Sequence, residues 1–393
     1  MTFWTDPINW FMQILENLLA SWGLNQVLSI FIINFLGVVV YCTMILVFVF
    51  FLIWLERKLI ARMQDRLGPN RVGPWGILQS IPDAIKIFTK EYITPVGVDK
   101  VIYNLAPIIV VASVLVVWAV IPVAPRWFAA DLNVAVLYIV AVGELGILMI
   151  MMAGWSSNNK FALLGAFRTS AQLVSYEIPM ALAMLVPVFM ARSMSLGTII
   201  ATQDVWNIVL APVAFVIYFL CSLAEVGRAP FDLLEAESEI VAGYHIEYSG
   251  LKFGMFYVGD FLHAFTISIL GAVLFLGGWR GPGAEQFPLL GFFYMTLKII
   301  FVYMLMMVVR GTLPRLRIDQ MMDFTWKVMT PLMMGLFVGV IVIDRLTLGL
   351  APWLRVGTFL AFNVIGAVIT LWALGKHSMP KPKEFPLEDL HAS

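Results

Sequence analysis

An all-α polytopic membrane protein, with about nine transmembrane helices, amphipathic surface helices and structured cytoplasmic loops, is what three observations predict. The 393 residues are 61% hydrophobic and only 13% charged, with a mean hydropathy of +0.90. Apolar runs recur along the chain, and a helix needs about 20 such residues to cross the hydrocarbon layer. Lys and Arg gather in alternate loops between those runs. No linker long enough to separate domains interrupts the pattern, so residues 1–393 read as a single integral membrane domain.

The runs fall at 27–55, 105–125, 133–154, 177–191, 207–225, 254–278, 289–309, 328–344 and 355–375. The fourth is short and contains Pro179 and Pro187, which predicts a span that is bent or sunk among its neighbours. The loops after the first, third, fifth and seventh runs, with the tail 376–393, hold 19 of the 25 Lys and Arg, whereas the loops after the even runs hold five, counting Arg355 at the edge of the ninth run. That bias puts the N-terminus outside and the odd loops and tail in the cytoplasm. Three of those loops carry a pattern of their own: 56–104, 226–253 (acidic) and 310–327 (basic).

In the first, "GILQSIPDAIKIFTKE" spaces Ile77, Leu78, Ile81, Ile85 and Phe88 along one face, the signature of an amphipathic helix on the membrane surface or against a partner. "NWFMQILENLLASW" near the N-terminus reads as a second. The N-terminal residues carry no Lys or Arg and the first run is too long for a signal h-region, so no cleavable signal peptide is expected.

Composition also narrows the chemistry. Cys42 and Cys221 are too few for an iron–sulfur cluster, which takes about four thiolates. His245, His263, His377 and His391 form no pair at helical spacing for haem or a metal. No metal and no redox cofactor are expected on this chain. Zero net charge without a basic run argues against a nucleic-acid partner.

Negative charge is concentrated in "SLAEVGRAPFDLLEAESEIVAG", which holds Glu225, Asp232, Glu235, Glu237 and Glu239, with Glu247 just beyond and Arg228 the single nearby cation. Pro230 suits the start of a helix here and Gly243 its end. Asp232 and Glu235 could serve to complement that helix's dipole, or all could be solvated acids; Glu239, late in the helix, fits the dipole poorly. Acids within the apolar runs favour a functional reading. Glu177 opens the fourth run, Glu144 lies in the third, and Asp260 and His263 stand three apart in the sixth. An ionised side chain in mid-bilayer costs about 2.5–3.5 kcal/mol, so such groups should face inward and meet water or each other. A trail from Glu239 and Glu235 through Glu225 to Glu177 and Glu144 would be a proton path.

The basic counterpart is "WLERKLIARMQDRLGPNRVGP", with Glu56, Arg57, Lys58, Arg62, Arg66 and Arg71 where the first run ends. Positive-inside anchoring accounts for the charges, but the Gly-Pro pairs specify tight turns that a passive anchor does not need. "RGTLPRLRIDQ" sets Arg310, Arg315 and Arg317 beside Asp319. Polar, structured loops on one face suit a cavity for a ligand with a polar head and an apolar tail.

Four segments resemble one family closely. "ERKLIARMQDRLGPNRVGPWGILQ", "GWSSNNKFALLGAFRTSAQLVSYEIP", "GRAPFDLLEAESEIVAGYHIEYSG" and "LPRLRIDQMMDFTWKVMTP" are similar, in order and spacing, to the H-type membrane component of proton-pumping NADH:quinone oxidoreductase, respiratory complex I. The likeness covers roughly residues 50 to 331. It implies a bacterial inner-membrane subunit that helps form the quinone chamber and couples quinone reduction to proton translocation. FMN and iron–sulfur clusters would reside in partner subunits, the hydrophilic quinone-site subunits and small membrane subunits would be its neighbours, and the isolated chain would be silent. Carried over by motif, Arg57, Arg66, Asp83 and Lys86 would border the quinone passage, and Arg310, Arg315, Arg317 and Asp319 would form the basic loop beside it. Glu177, Glu225, Asp232, Glu235, Glu237 and Glu247 would form an acidic funnel, with Glu144 at its inner end and Asp260 on the same path. The chain departs from the family at Val226-Gly227 (usually Thr-Asn), Leu234 (Pro), Pro82 (a small residue) and Asp260 (Glu), and the run at 355–375 resembles an added ninth crossing.

The equivalent subunit of a membrane-bound hydrogenase or of a ferredoxin- or deazaflavin-linked dehydrogenase is a related reading, against which "GPNRVGP" argues. A stand-alone ion/proton antiporter, suggested by the intramembrane acids and His263, is the reading from another class.

Overall fold

A computed structural model describes residues 7–21, 25–125, 127–233, 241–347, 349 and 351–376. Every named element in them is helical. In chain order they are α1 (Pro7–Ser21), α2 (Gln26–Met63), α3 (Ser80–Thr89), α4 (Lys100–Val117), α5 (Ala135–Ser156), α6 (Lys160–Ala191), α7 (Leu196–Thr202), α8 (Asn207–Leu210) and α9 (Pro212–Glu225). They continue as α10 (Gly250–Phe275), α11 (Pro288–Thr312), α12 (Ile318–Phe324), α13 (Thr330–Leu346) and α14 (Pro352–Lys376).

Eight of the spans are long and apolar enough to cross a membrane, α12 and α13 counting as one. The shorter apolar helix α9 makes nine among the described residues. The protein is a multi-pass membrane protein. Helix α10 is the most enclosed of the long spans and α14 the least. The main core packs α6, α9 and α10 together through Tyr176, Tyr218, Leu223 and Phe275, all essentially inaccessible.

Charge does not end the first span where the apolar run ends. Helix α2 has 38 residues, roughly 57 Å at 1.5 Å per residue, so its last turns project beyond a hydrocarbon layer of about 30 Å. Those turns carry Glu56 and Arg57.

The fourth span is longer than its apolar run. Helix α6 runs for 32 residues with Pro179 and Pro187 inside it. It starts at Asn159, whose side chain accepts from Phe161 N at 2.9 Å. Hydropathy understates its first half because Arg168, Ser170 and Gln172 lie there among apolar residues. The fifth run is broken instead: Ala211 leaves the helical region and Pro212 starts α9 afresh. Neighbours satisfy the backbone freed at such breaks. At this break Asn363 Nδ2 donates to Leu210 O at 3.0 Å, while Asn207 Nδ2 and Gln203 Nε2 take the last carbonyls of α10, Leu274 O at 2.8 Å and Val273 O at 2.9 Å.

Both amphipathic segments are helical, as α1 and α3. Pro230, by contrast, does not open a helix. The Ala229–Pro230 peptide is cis, Phe231 to Leu233 are non-helical, and Gln172 Nε2 takes the carbonyls of Ala224 (2.7 Å) and Phe231 (2.9 Å). Residues 234–240, with Glu235, Glu237 and Glu239, lie outside the described residues.

Candidate functional site: a charged cleft beside a carboxylate-lined cavity

The end of the bundle where α2 finishes holds a cleft of about 770 Å³. Apolar side chains such as Phe50, Ile53, Phe88 and Val258 form most of its wall. Its charged lining is Glu56 and Arg57 from α2, Asp83 from α3, Arg228 and Asp232 from the segment after α9, Asp260 from α10 and Arg310 from α11.

Glu56 is the hub. It is 4% exposed, accepts from Arg228 Nη1 at 2.6 Å and also pairs with Arg310. Arg228 is itself buried, with its guanidinium 5.3 Å from the Phe261 ring centre and 5.9 Å from that of Tyr303. Burial lowers its pKa below the usual arginine value, opposed by Tyr303 and the Asp260 charge. A second pair, Arg57 Nη1 to Asp83 Oδ2 at 2.5 Å, is more open.

The Gly-Pro loop behind α2 is fastened by Lys58, whose Nζ donates to Pro69 O (2.8 Å) and Trp75 O (3.3 Å). Gly76 has φ +77 and passes so close to this turn that a Cβ would sit 2.3 Å from Pro69 O. Glycine is required on both counts.

Deeper in the bundle is a cavity of about 100 Å³. Glu144 of α5, Glu177 of α6, Glu225 at the end of α9, and Asp260 and His263 of α10 all line it. Glu177, half-buried, lies against Glu144, which is exposed on α5 rather than turned fully inward as its place in an apolar run predicts. His263 Nε2 is 3.1 Å from Glu225 Oε1, while Glu225 Oε2 is buried with no hydrogen-bond partner among the described residues. Asp260 lines both the cleft and this cavity.

Of the residues singled out in sequence, Arg57, Asp83, Arg310, Asp232 and Asp260 therefore meet in the cleft, and Glu144, Glu177 and Glu225 in the cavity. Arg66 is exposed and bonded to Gln64 at 2.8 Å. Lys86, Arg315, Arg317 and Asp319 are exposed and line neither space. Leu316 N does donate to Pro230 O at 2.9 Å, tying the basic loop to the acidic segment. Glu247 stands apart, its carboxylate accepting from Asn159 Nδ2 at 2.7 Å. Nearby, burial pushes the His245 imidazole down to about 4 and raises the Tyr248 phenol.

Sequence reasoning did not assign Glu56 or Arg228 to the site. The signal was there: an acid closing a long apolar run and one arginine in an acidic stretch are each costly without a partner.

Fold and site together define a polytopic membrane protein whose charged cleft at one end shares one lining carboxylate, Asp260, with a second cavity lined by acids of α5, α6 and α9. Residues 36–341 match the family described as NADH dehydrogenase, and the chain belongs to that family. It is 47% identical over 320 residues to the H chain of NADH-quinone oxidoreductase from Dehalococcoides mccartyi (strain CBDB1), covering 81% of this chain and 88% of the relative. To the H chain numbered 2 of NADH-quinone oxidoreductase from Syntrophobacter fumaroxidans (strain DSM 10017 / MPOB) it is 46% identical over 292 residues, 72% of this chain and 87% of the relative. The family match stops before α14.

Proposed function

We propose that this chain is the membrane subunit of a proton-translocating NADH:quinone oxidoreductase that forms part of the quinone chamber and couples quinone reduction to proton movement. The observation that carries the reading is Asp260, shared by the large cleft and the inner carboxylate cavity.

The cleft has the chemistry a quinone needs. Its apolar wall suits an isoprenoid tail, and Arg57, Asp83 and the Glu56–Arg228–Arg310 cluster offer charge and hydrogen bonds to a polar head. Reduction of a quinone to a quinol takes up two electrons and two protons. The electrons would come from FMN and iron–sulfur clusters held by partner subunits, so this chain alone is inactive. Charge that appears on the head group is felt by Asp260, because little water screens it there. Carboxylates that share one small cavity cannot all ionise cheaply, so a shift at Asp260 redistributes protons over Glu225, Glu177 and Glu144. Asp232 and Glu247, with Glu235, Glu237 and Glu239, would supply protons from the water side.

In this reading the loops 56–104, 226–253 and 310–327 and the tail 376–393 face the cytoplasm of a bacterium, and the N-terminus lies outside. The exposed Arg66, Lys86, Arg315, Arg317 and Asp319 meet the hydrophilic partner subunits, which complete the chamber.

The test is Glu144→Gln in the whole complex, reconstituted in vesicles. Quinone-dependent NADH oxidation should fall severalfold and proton uptake should fall with it. Proton uptake at the unaltered rate would overturn the proposed path.

A further inference from the structure

We infer that His263 is a relay residue of this protein, carrying protons between Asp260 and Glu225 and supplying the positive charge that the carboxylate cavity otherwise lacks. The inference rests on the proposed function and adds to it a group that is not a carboxylate.

The charge balance of the cavity is the starting point. Among the described residues that line it, four are carboxylates, none is Lys or Arg, and His263 is the one that can become a cation. Arg228 interacts with Asp260 from the cleft side and does not line this space. The groups facing His263 come from every side: Glu144 from α5, Glu177 from α6, Glu225 and Tyr218 from α9, and Tyr244 from the segment before α10. Like charges in so small a volume repel strongly, and an imidazolium among them relieves that repulsion.

Geometry supplies the direction. Asp260 and His263 are three residues apart on α10, so their side chains share a helix face. Asp260 reaches the cleft; His263 does not, but lies 3.1 Å from Glu225. Imidazole can accept a proton on one ring nitrogen and release one from the other, which a carboxamide cannot do. The proton acceptor is also in place. Glu225 Oε1 faces the ring at hydrogen-bond distance and takes the proton passed on. The step is a transfer of one proton from Asp260 to imidazole and of one proton from imidazolium to Glu225, with no net change on His263.

The experiment compares the whole complex carrying His263→Gln with one carrying Glu225→Gln, both in vesicles. Glutamine keeps a donor toward Glu225 and cannot titrate. Assembly is scored by the amount of the variant chain that co-purifies with its partner subunits. His263→Gln should slow quinone-linked proton uptake at least about tenfold, and should remove one limb of the pH profile of turnover, a readout that a merely structural role would not move. His263→Asn carries the same readout if the glutamine variant fails to assemble. An assembled His263 variant with the native rate and pH profile, beside a Glu225→Gln complex that no longer takes up protons, would sink the role of His263 and leave the carboxylate path standing. Undiminished proton uptake in Glu225→Gln would overturn the path itself.

Discussion

Glu56 and Arg228, 172 residues apart in the chain, meet at 2.6 Å with 5% and 6% of their side chains exposed. A buried pair of this kind is a weak source of net stability but is costly to break, by about 3–5 kcal/mol, because the remaining charge stays buried. Arg310 adds to the effect, since Glu56 answers two guanidinium groups. Glu56→Ala and Arg228→Ala should each lower thermal stability strongly in detergent. The double variant should be less damaging than the sum of the two, and a double-mutant cycle measures that coupling.

Arg57 and Asp83 should behave differently. Their side chains are 47% and 26% exposed, and exposed pairs contribute about 1 kcal/mol or less. Asp83→Asn should therefore leave the unfolding temperature nearly unchanged. Under the proposed function it should raise the KM for quinone severalfold. Steady-state kinetics on the assembled complex, beside a melting curve, separates the two effects.

His245 predicts an acid limit to stability. Its folded value of about 4 lies below the roughly 6.5 of a free imidazole. Below about 6.5 the unfolded chain therefore binds a proton that the folded chain refuses. Stability fully present above about 6.5 is lost as pH falls toward about 4, by at most about 3 kcal/mol. Unfolding curves at pH 7.5 and 5 should differ less for His245→Gln than for the native chain.

Gly165 packs α6 directly against the backbone of the segment before α10. A Cβ there would lie 2.6 Å from Gly243 C and 2.9 Å from Tyr244 N, both backbone atoms that cannot turn aside. Gly165→Ala should cost about 1–3 kcal/mol by overpacking, and should disturb Tyr244, which lines the inner cavity. A lower yield of assembled complex together with lower quinone turnover is the expected result.

Helix α14 should be separable from the site. It is fastened by Arg355 to Asp344 at 2.5 Å and by Asn363 to Leu210 O at 3.0 Å, and none of its described side chains lines either cavity. A chain ending at residue 351 should lose thermal stability yet retain quinone reduction in the complex. Loss of activity with assembly intact would give α14 a part in the chemistry.

Much of this architecture was legible in the residues. Each of the nine apolar runs falls on helix among the described residues, and the face carried by Ile81, Ile85 and Phe88 foretold α3. The misreadings have local causes. Arg168, Ser170 and Gln172 hid the first half of α6 from a hydropathy argument, because a polar residue that finds a buried partner costs far less than its transfer scale implies. Pro230 looked like a helix start, but Gln172, from another helix, had already taken the carbonyl of Phe231.

Sequence by itself determined that this chain crosses a membrane repeatedly, which follows from the cost of exposing polar groups to hydrocarbon. Tertiary structure alone decided which charges answer which. Glu56 found Arg228 rather than its neighbours Arg57 and Lys58, and Glu225 found His263, because pairing depends on helix faces brought together over tens to hundreds of residues. Distances of that kind have no periodicity along the chain.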